Sequence, residues 1–358
     1  MWLRIPCTLS AAALLLEWIP TAAAAEPYLA VRTGLQCSQC HTNRTGGGGR
    51  NAFGNIYGQT RLPLRPTGFR GRSLNDFAAV GGNLRVAAFG TIGRSTPRAA
   101  VEIDESNVQL ELRPVADRLT VYFDETLGPA GASAREAFVL LEGLPANGYV
   151  KAGKFLLPYG LRLPDDREFI REQTGFTYDT PDQGLELGIE PGSLTIVVAL
   201  SNGSQGAAEA DDAKQITGSV ALALRRLRLG ASASRNEGGG SRRTVLGGYA
   251  GVSTGRITLL GEADLVRDDG AASGRVERLA AYVEGDVLLR RGLNVKLTYG
   301  FLDPDTEIAE NARVRARFGV EAFPVAFLQL SAFYTLLQDI PQARTDVDRV
   351  SLEMHAYF

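Results

Sequence analysis

The chain has 358 residues, of which 44% are hydrophobic and 22% charged, and its formal net charge is −2. This composition alone permits an ordinary soluble domain, and we expect no nucleic-acid partner. Of its 3 cysteines, Cys7 lies near the N-terminus, in a segment that we predict below to be removed, so the two that remain offer no disulfide framework.

Residues 1–25 have the features of a cleaved secretory signal peptide. Arg4 precedes a mostly apolar run from Ala11 to Ile19, and an A-x-A site follows at Ala23 to Ala25. We therefore predict an exported, mature chain that begins near Glu26. No later stretch has the roughly 18 consecutive apolar residues of a transmembrane helix, so we expect none.

The next motif is C-x-x-C-H, formed by Cys37, Cys40 and His41. Two thiols at this spacing can each close a thioether to a haem vinyl group, while the adjacent imidazole binds the iron. The motif therefore predicts one covalently bound c-type haem. Cys37 and Cys40 would hold it, and His41 would be the proximal iron ligand.

Two other kinds of site contain C-x-x-C, a thioredoxin-type redox pair and half of a zinc site. Zinc needs four Cys or His ligands, but the chain has only one further histidine, His355, and one further cysteine, Cys7, in the predicted signal peptide. A redox pair begins a helix in a βαβ unit, whereas Gly46 to Gly49 follow here almost at once. We therefore favour haem.

From about Val80 to Phe358 the chain consists of segments in which apolar and polar residues alternate. Asn107 to Arg113 is the strictest example, and period two places its apolar residues on one face of a sheet. About sixteen such segments are present, an even number typical of outer-membrane barrels. We predict an all-β fold: a transmembrane antiparallel β-barrel over residues 79–358, after a short haem-binding segment over residues 26–78.

A soluble β-sandwich would show the same alternation of residues. The lengths of the connections between strands distinguish a membrane barrel from such a sandwich. Tight and longer connections alternate along the chain, as in barrels with short periplasmic turns and long external loops. The tight ones are Val115 to Arg118, Pro145 to Gly148, Pro191 to Ser193, Ser253 to Arg256 and Arg290 to Gly292. The longer ones are rich in acidic residues and are Pro158 to Gln183, Asn202 to Ala213, Arg267 to Gly274, Leu302 to Ala312 and Gln338 to Asp346.

The last predicted strand, Val347 to Phe358, alternates up to a terminal phenylalanine and resembles the recognition end of bacterial outer-membrane barrels. Closure of the barrel removes sheet edges that lipid cannot hydrate. We therefore predict a bacterial outer-membrane protein in contact with lipid. The haem-binding segment would lie on the periplasmic side or in the lumen.

About sixteen strands leave a lumen wide enough for water, a loop or a small plug. The connection Pro158 to Gln183 is the candidate to fold inward and narrow it. Mixed charges on the inner wall argue against a dedicated cation or anion filter. The predicted inward charges are Glu111, Arg113, Asp124, Glu262, Asp264, Lys296, Arg313, Arg315 and Arg317.

This arrangement resembles the fused monohaem c-type cytochrome-porins of bacterial outer membranes, a family known for extracellular iron oxidases. The resemblance rests on Arg32 to Thr42, which contains the C-x-x-C-H motif, on Asn51 to Gly54, and on the barrel that follows. It implies that Cys37, Cys40 and His41 are the haem residues.

The distal iron ligand has few candidates. After His41 the chain has one histidine, His355, and one methionine, Met354. Strand parity points His355 into the lumen and Met354 to lipid, so we hypothesise that His355 is the distal ligand. The alternative is a lumen histidine with other partners, the iron being five-coordinate or bound by water or another side chain.

These features favour electron transfer across the outer membrane through one haem. The expected partners are periplasmic electron carriers and an extracellular metal or reduced donor such as Fe(II). The protein would be an extracellular electron-donor oxidoreductase or otherwise an electron carrier, because the sequence shows no acid/base or nucleophile constellation. The alternatives are a diffusion porin whose haem segment is a plug or redox sensor, and a receptor-like barrel with a structural haem.

Overall fold

A computed structural model describes residues 26–66, 74–93, 98–128, 131–209, 211–238, 240–270, 274–340 and 347–358. The predicted signal peptide, residues 1–25, lies outside the described residues. Within the described ranges, no helix combines the length and the apolar composition needed to cross a membrane.

Strands make up most of the described chain. They are β1 (Ala78–Gly93), β2 (Ala99–Val115), β3 (Leu119–Thr126), β4 (Ser133–Leu144), β5 (Gly148–Phe155), β6 (Asp182–Ile189), β7 (Leu194–Ser201), β8 (Gln215–Ala223), β9 (Leu227–Gly238), β10 (Ser241–Ser253), β11 (Ile257–Gly270), β12 (Gly274–Arg290), β13 (Leu293–Asp303), β14 (Ala312–Val325), β15 (Leu328–Ile340) and β16 (Val347–Tyr357).

The sixteen strands of the described chain form one closed antiparallel barrel. Each strand pairs with its neighbours in sequence, and β1 closes the barrel on β16, with Asn83 opposite Tyr357 and Arg85 opposite His355. Every strand therefore has two partners, so that the barrel has no free sheet edge. The predicted all-β, sixteen-stranded barrel is confirmed.

The two faces of the barrel wall differ sharply in polarity. In β13 the exposed fraction is 6% for Lys296, 56% for Leu297 and 2% for Thr298, so polar side chains face inward and apolar ones outward. Among the predicted inward charges, six are buried and Arg113, Arg313 and Arg317 are half-buried. The buried six are Glu111, Asp124, Glu262, Asp264, Lys296 and Arg315. An apolar outer face around a polar interior is the reverse of a soluble barrel.

The connections at one end of the barrel are two to four residues long, and we name this end the short-turn end. It comprises residues 116–118, 145–147, 190–193, 224–226, 254–256, 291–292 and 326–327, together with the start of β1 and the end of β16. The opposite, long-loop end has the longer connections 156–181, 202–214 and 304–311. The alternation of tight and longer connections therefore holds for most of the barrel.

One expected loop is wrong. The sequence suggested a longer connection from Arg267 to Gly274, but β11 continues to Gly270 and β12 starts at Gly274. Salt bridges between the two strands, Arg267 with Glu277 and Arg275 with Asp269, hold this polar stretch in a hairpin. Opposite charges that face each other across an antiparallel pair stabilise it.

Residues 26–66, the N-terminal segment, lie inside the barrel at its short-turn end. The segment contains α1 (Pro27–Thr33), a 3₁₀ turn (Cys37–Gln39) and α2 (Ala52–Thr60). Its beginning bonds to the wall through Glu26 and Lys296, 3.1 Å apart, and its end through the backbone of Leu64 and Phe323. The segment therefore fills part of the lumen, which is one of the two positions expected for it from the sequence.

Residues 156–181 form an inward loop, which includes the short helix α3 (Phe169–Glu172). The loop crosses the lumen to the opposite wall, where the Tyr159 hydroxyl donates to Asp264 Oδ1 at 2.8 Å. Its buried residues Leu161 and Ile170 pack in one apolar cluster with Tyr28 of α1. The prediction of an inward loop is confirmed, and the apolar core of the molecule lies within the barrel.

Candidate haem cavity and lumen

The C-x-x-C-H residues form a tight turn. The backbone N–H groups of Cys40 and His41 both donate to the carbonyl of Cys37, at 3.1 and 3.0 Å. Residues i and i+3 of a 3₁₀ turn lie one above the other, so the turn brings the Cys37 and Cys40 thiols to the same side. Neither cysteine forms a disulfide, both are half-buried, and the His41 side chain is buried.

The N-terminus of α2 holds this turn in place. The Asn51 side chain caps the helix by accepting from the Gly54 N–H at 2.9 Å, and its amide donates to the carbonyl of Ser38 at 3.0 Å. A Cβ added at Gly54 would stand 2.1 Å from the Cys40 carbonyl oxygen, so that only glycine allows this contact. The run Asn51 to Gly54 therefore positions the C-x-x-C-H turn.

The residues after His41 bind the polar wall of the lumen. The Thr42 hydroxyl donates to Glu111 at 2.7 Å, and the Asn43 amide donates to Glu136 at 2.6 Å. The ammonium of Lys151, which is fully buried, donates to Asn43 Oδ1 at 2.9 Å. Buried polar groups must be hydrogen-bonded to avoid a desolvation cost. The polar groups of the wall and of the N-terminal segment provide these hydrogen bonds to each other.

Cys37, Cys40 and His41 all line one cavity, which has about 650 Å³ of empty space including its mouth. The remaining walls come from α1, the inward loop and two barrel strands, and include Leu161 and Tyr249. This combination of apolar walls and convergent polar groups is typical of a cofactor site.

A c-type haem needs two thiols and an imidazole that face one space. Both thiols and the imidazole face the same space, and a Cβ at Gly47, which also lines it, would stand only 2.7 Å from Arg162 Cδ. Burial raises the pKa of the Cys40 thiol to about 11, a shift that Cys37 increases and Arg50 opposes, so the unmodified thiol is protonated at neutral pH. The two thiols and the imidazole are therefore the groups that would hold a covalently attached haem.

Two arginines also face this cavity: Arg162, which lies in the connection expected to fold inward, and Arg228, which the sequence analysis missed. Arg228 of β9 donates to the Leu35 carbonyl at 3.1 Å and to Cys37 Sγ at 3.3 Å. Arg162 of the inward loop donates to the Leu157 carbonyl at 2.9 Å, while its buried Nε has no hydrogen-bond partner in the described residues. Guanidinium groups pair well with carboxylates, such as haem propionates. No local sequence signal connects residues so far apart in the chain.

His355 lies inward, as its strand parity predicted, but it does not line this cavity. Its exposed fraction is 6%, and its ring nitrogens lie 2.9 Å from Gln329 Oε1 and 3.2 Å from Asn83 Oδ1. Met354 points outward, 43% exposed, which agrees with its predicted orientation.

A second, larger cavity opens at the long-loop end, and we name it the vestibule. It has about 2500 Å³ of empty space including its mouth, and its described walls carry ten carboxylates and four arginines. Burial raises the pKa of Asp166 to about 6, although Arg171 and the Tyr178 N–H favour its charged form. Seven of the ten carboxylates form salt bridges, and Glu172, Asp179 and Asp211 form none among the described residues.

The inward loop forms the floor of the vestibule. Asp165 binds Arg315 at 2.7 Å and Arg317 at 2.6 Å on the opposite wall, and Glu168 also pairs with Arg315. The N-terminal segment lies on the other side of the loop. A further lumen cavity, with about 800 Å³ of empty space, shares Asp165 with the vestibule and Glu26 with the cavity that contains the C-x-x-C-H turn.

No family model and no curated protein sequence matches the chain. Solved structures do match its fold. The anion-selective porin from Comamonas acidovorans superposes with a TM-score of 0.62 at 14% identity, covering 78% of this chain and 99% of the porin. OmpT, expressed in the outer membrane of Vibrio cholerae, gives a TM-score of 0.61 at 12% identity over 80% of this chain and 100% of its own.

The outer-membrane channel DcaP of Acinetobacter baumannii is also similar, with a TM-score of 0.62 at 13% identity, and the match covers 80% of this chain and 99% of that channel. At such identities the likeness concerns the fold alone. The chain therefore has the fold of sixteen-stranded porins.

Proposed function

We propose that this protein is an outer-membrane barrel that carries one c-type haem in its lumen and transfers electrons across the membrane. The observation that carries the proposal is the C-x-x-C-H turn of Cys37, Cys40 and His41, which lines a cavity inside a porin-type barrel. A thioredoxin-type pair or a zinc site would not require this setting.

The outer surface supports the membrane location. Its exposed aliphatic residues alternate with buried polar ones along the strands, which matches a barrel with lipid outside and polar groups inside. The similar solved structures include proteins named for the outer membrane, which further supports an outer-membrane location and contact with its lipid.

In this proposal each residue of the cavity has a defined role. Cys37 and Cys40 hold the haem, His41 binds its iron, and Arg162 and Arg228 offset the charge of its propionates. A bound haem supplies a group that takes up and releases one electron at a time. The inward loop and the N-terminal segment exclude bulk water from the cavity and close the lumen around it.

The acidic vestibule suggests the class of donor. Of its ten carboxylates, Glu172, Asp179 and Asp211 form no salt bridge among the described residues, and such carboxylates attract cations. An extracellular donor that is a hydrated metal cation, such as Fe(II), fits this entrance. The protein would then act as an extracellular metal oxidoreductase. Periplasmic electron carriers would receive the electrons at the short-turn end.

His355 remains our candidate for the distal ligand. To reach an iron it would have to leave Gln329 and Asn83, which now face its two ring nitrogens. Visible spectra of His355→Ala test the proposal: a change from low-spin to high-spin haem supports it, and an unchanged low-spin spectrum excludes it. Asn83→Ala is the matched variant: it removes a hydrogen-bond partner of the His355 imidazole but keeps the imidazole, so the haem should stay low-spin.

The main test uses the purified full-length protein in lipid nanodiscs. We expect a pyridine haemochrome spectrum of the c type with one haem per chain, and complete loss of haem in the double variant Cys37→Ala/Cys40→Ala. In intact cells, Fe(II) added outside should donate an electron to the haem, so that the haem becomes reduced and the iron is oxidised to Fe(III). A wild-type protein without covalent haem would contradict the proposal.

The second candidate is a diffusion porin in which the N-terminal segment is a plug or redox sensor. The comparisons favour it, because the similar structures include a porin and a channel. It predicts solute conductance in planar bilayers that persists in the Cys37→Ala/Cys40→Ala variant. The electron-transfer proposal predicts little conductance in either protein, since the N-terminal segment and the inward loop occupy the lumen.

A further inference from the structure

The helix that follows the C-x-x-C-H turn presents an apolar stripe to the outside at the short-turn end. Phe53 and Ile56 of α2 are 50% and 62% exposed, and Leu64 just beyond the helix is 36% exposed. We name these three residues the mouth patch. The opposite side of α2, which includes Tyr57, is buried in the lumen.

Exposed arginines are numerous at the same end of the barrel. Arg61 and Arg65 belong to the N-terminal segment, and six further exposed arginines lie on the turns 116–118, 224–226, 254–256 and 290–292. In the described part of this end, the exposed acidic side chains are Asp76 and Asp117. The short-turn end is thus strongly basic, although the chain as a whole is slightly acidic.

The charges of Arg61 and Arg65 are available to a partner. Among the described residues neither side chain forms a salt bridge, and their exposed guanidinium groups keep their water. The arginines on the turns could instead contact lipid headgroups. Arg61, however, ends the helix whose Tyr57 packs in the lumen core, so lipid contact does not account for it.

The mouth patch is also close to the candidate haem site. The backbone of α2 at Gly54 touches the carbonyl of Cys40 so closely that no Cβ would fit between them. A protein seated on Phe53 and Ile56 would therefore be separated from the cavity by the thickness of one helix.

We propose that the mouth patch and its arginines are the docking surface for an acidic, soluble electron-transfer protein of the periplasm. This inference rests on the proposed electron-transfer function. A small apolar contact is typical of transient redox complexes, and complementary charge raises their association rate and selects the partner. The acidic vestibule at the opposite end would repel the same partner.

The first experiment tests the surface without the haem. The variant Cys37→Ser/Cys40→Ser, in zwitterionic phosphatidylcholine nanodiscs, is exposed to flavodoxin as an acidic probe and to horse-heart cytochrome c as a basic one. We expect flavodoxin to bind at least tenfold more tightly than cytochrome c at low salt. Raising the salt or adding Arg61→Glu/Arg65→Glu should weaken flavodoxin binding at least tenfold.

Arg98→Glu, an exposed arginine at the long-loop end, is the control and should leave binding unchanged. Equal binding of the two probes, or flavodoxin binding that depends on Arg118 and Arg256 but not on Arg61 and Arg65, would overturn the proposal. Heat-modified mobility in gels verifies that each variant barrel is folded.

The second experiment uses the holoprotein. Reduction of its haem by reduced flavodoxin should slow at least tenfold in Arg61→Glu/Arg65→Glu, whereas reduction by dithionite should not change. An equal rate in the variant would contradict the docking proposal. Absence of haem would contradict the electron-transfer function, and the binding experiment would still decide the docking surface.

Discussion

Arg228 of β9 donates a hydrogen bond to the sulfur of Cys37, with 3.3 Å between Nη2 and Sγ. The same guanidinium holds the carbonyl of Leu35, two residues earlier. The wall of the barrel therefore fixes the first thiol of the motif in place, in addition to the turn's own backbone bonds.

We predict that Arg228→Ala lowers the haem content severalfold, because the variant loses both contacts to the turn and one positive charge at the cavity. The haem-to-protein ratio from pyridine haemochrome spectra measures this. Arg226→Ala, on the exposed turn before β9, is the control and should keep the wild-type ratio. An unchanged ratio in Arg228→Ala would show that Cys37 needs no support from the wall.

Lys151→Met should destabilise the protein by about 3–5 kcal/mol, the usual cost of leaving one partner of a buried ion pair without the other. The Lys151 ammonium lies 2.8 Å from Glu186 and 2.9 Å from Asn43, and both members of the ion pair are fully buried. Denaturant unfolding followed by heat-modified gel mobility measures the loss. Lys214→Met, in an exposed pair with Glu209, should cost about 0–1 kcal/mol.

Asp165→Asn should loosen the inward loop, because Arg315 and Arg317 lose their shared carboxylate. A lost charged hydrogen bond costs about 1–3 kcal/mol, so amide exchange in residues 156–181 should become roughly ten- to hundredfold faster. Single-channel conductance should rise with it. Asp269→Asn, in the exposed pair with Arg275, serves as the control, and equal exchange in both variants would contradict the role of Asp165.

The inward loop should be more stable at pH 5 than at pH 7.5. Burial raises the pKa of Asp166 to about 6, above its ordinary value of 3.8, and the nearby Asp179 and Asp165 act in the same direction. Between these two values the folded loop binds a proton that the unfolded chain does not, so stability falls as the pH rises. Amide exchange within residues 156–181, divided by the intrinsic exchange rate at each pH, measures it, and Asp166→Asn should remove the pH dependence of this protection.

The barrel could be predicted from sequence because its signal is local. Three consecutive residues, Lys296, Leu297 and Thr298, already show which side chains face the lumen, since successive side chains of a strand point to opposite faces. The same parity correctly oriented His355 and Met354. The β11–β12 hairpin escaped prediction because its charged residues resemble a loop until their partners across the hairpin are known.

The cavity could be predicted only in part. The motif itself identifies Cys37, Cys40 and His41, and the inward loop follows from the length of its connection. Contacts such as Tyr28 with Glu321, or Arg228 with Cys37, join residues 293 and 191 positions apart. No periodicity or spacing encodes such pairs, so the arginines of the cavity and the partners of His355 required the three-dimensional structure.

The N-terminal segment binds wall residues from both halves of the chain, from Glu111 on β2 to Phe323 on β14. Its binding site therefore exists only once the strands have come together, although the segment is made before all of them. Docking of the segment must be a late event in biogenesis. A barrel stalled before that step would have an intact wall and a lumen that holds the inward loop alone.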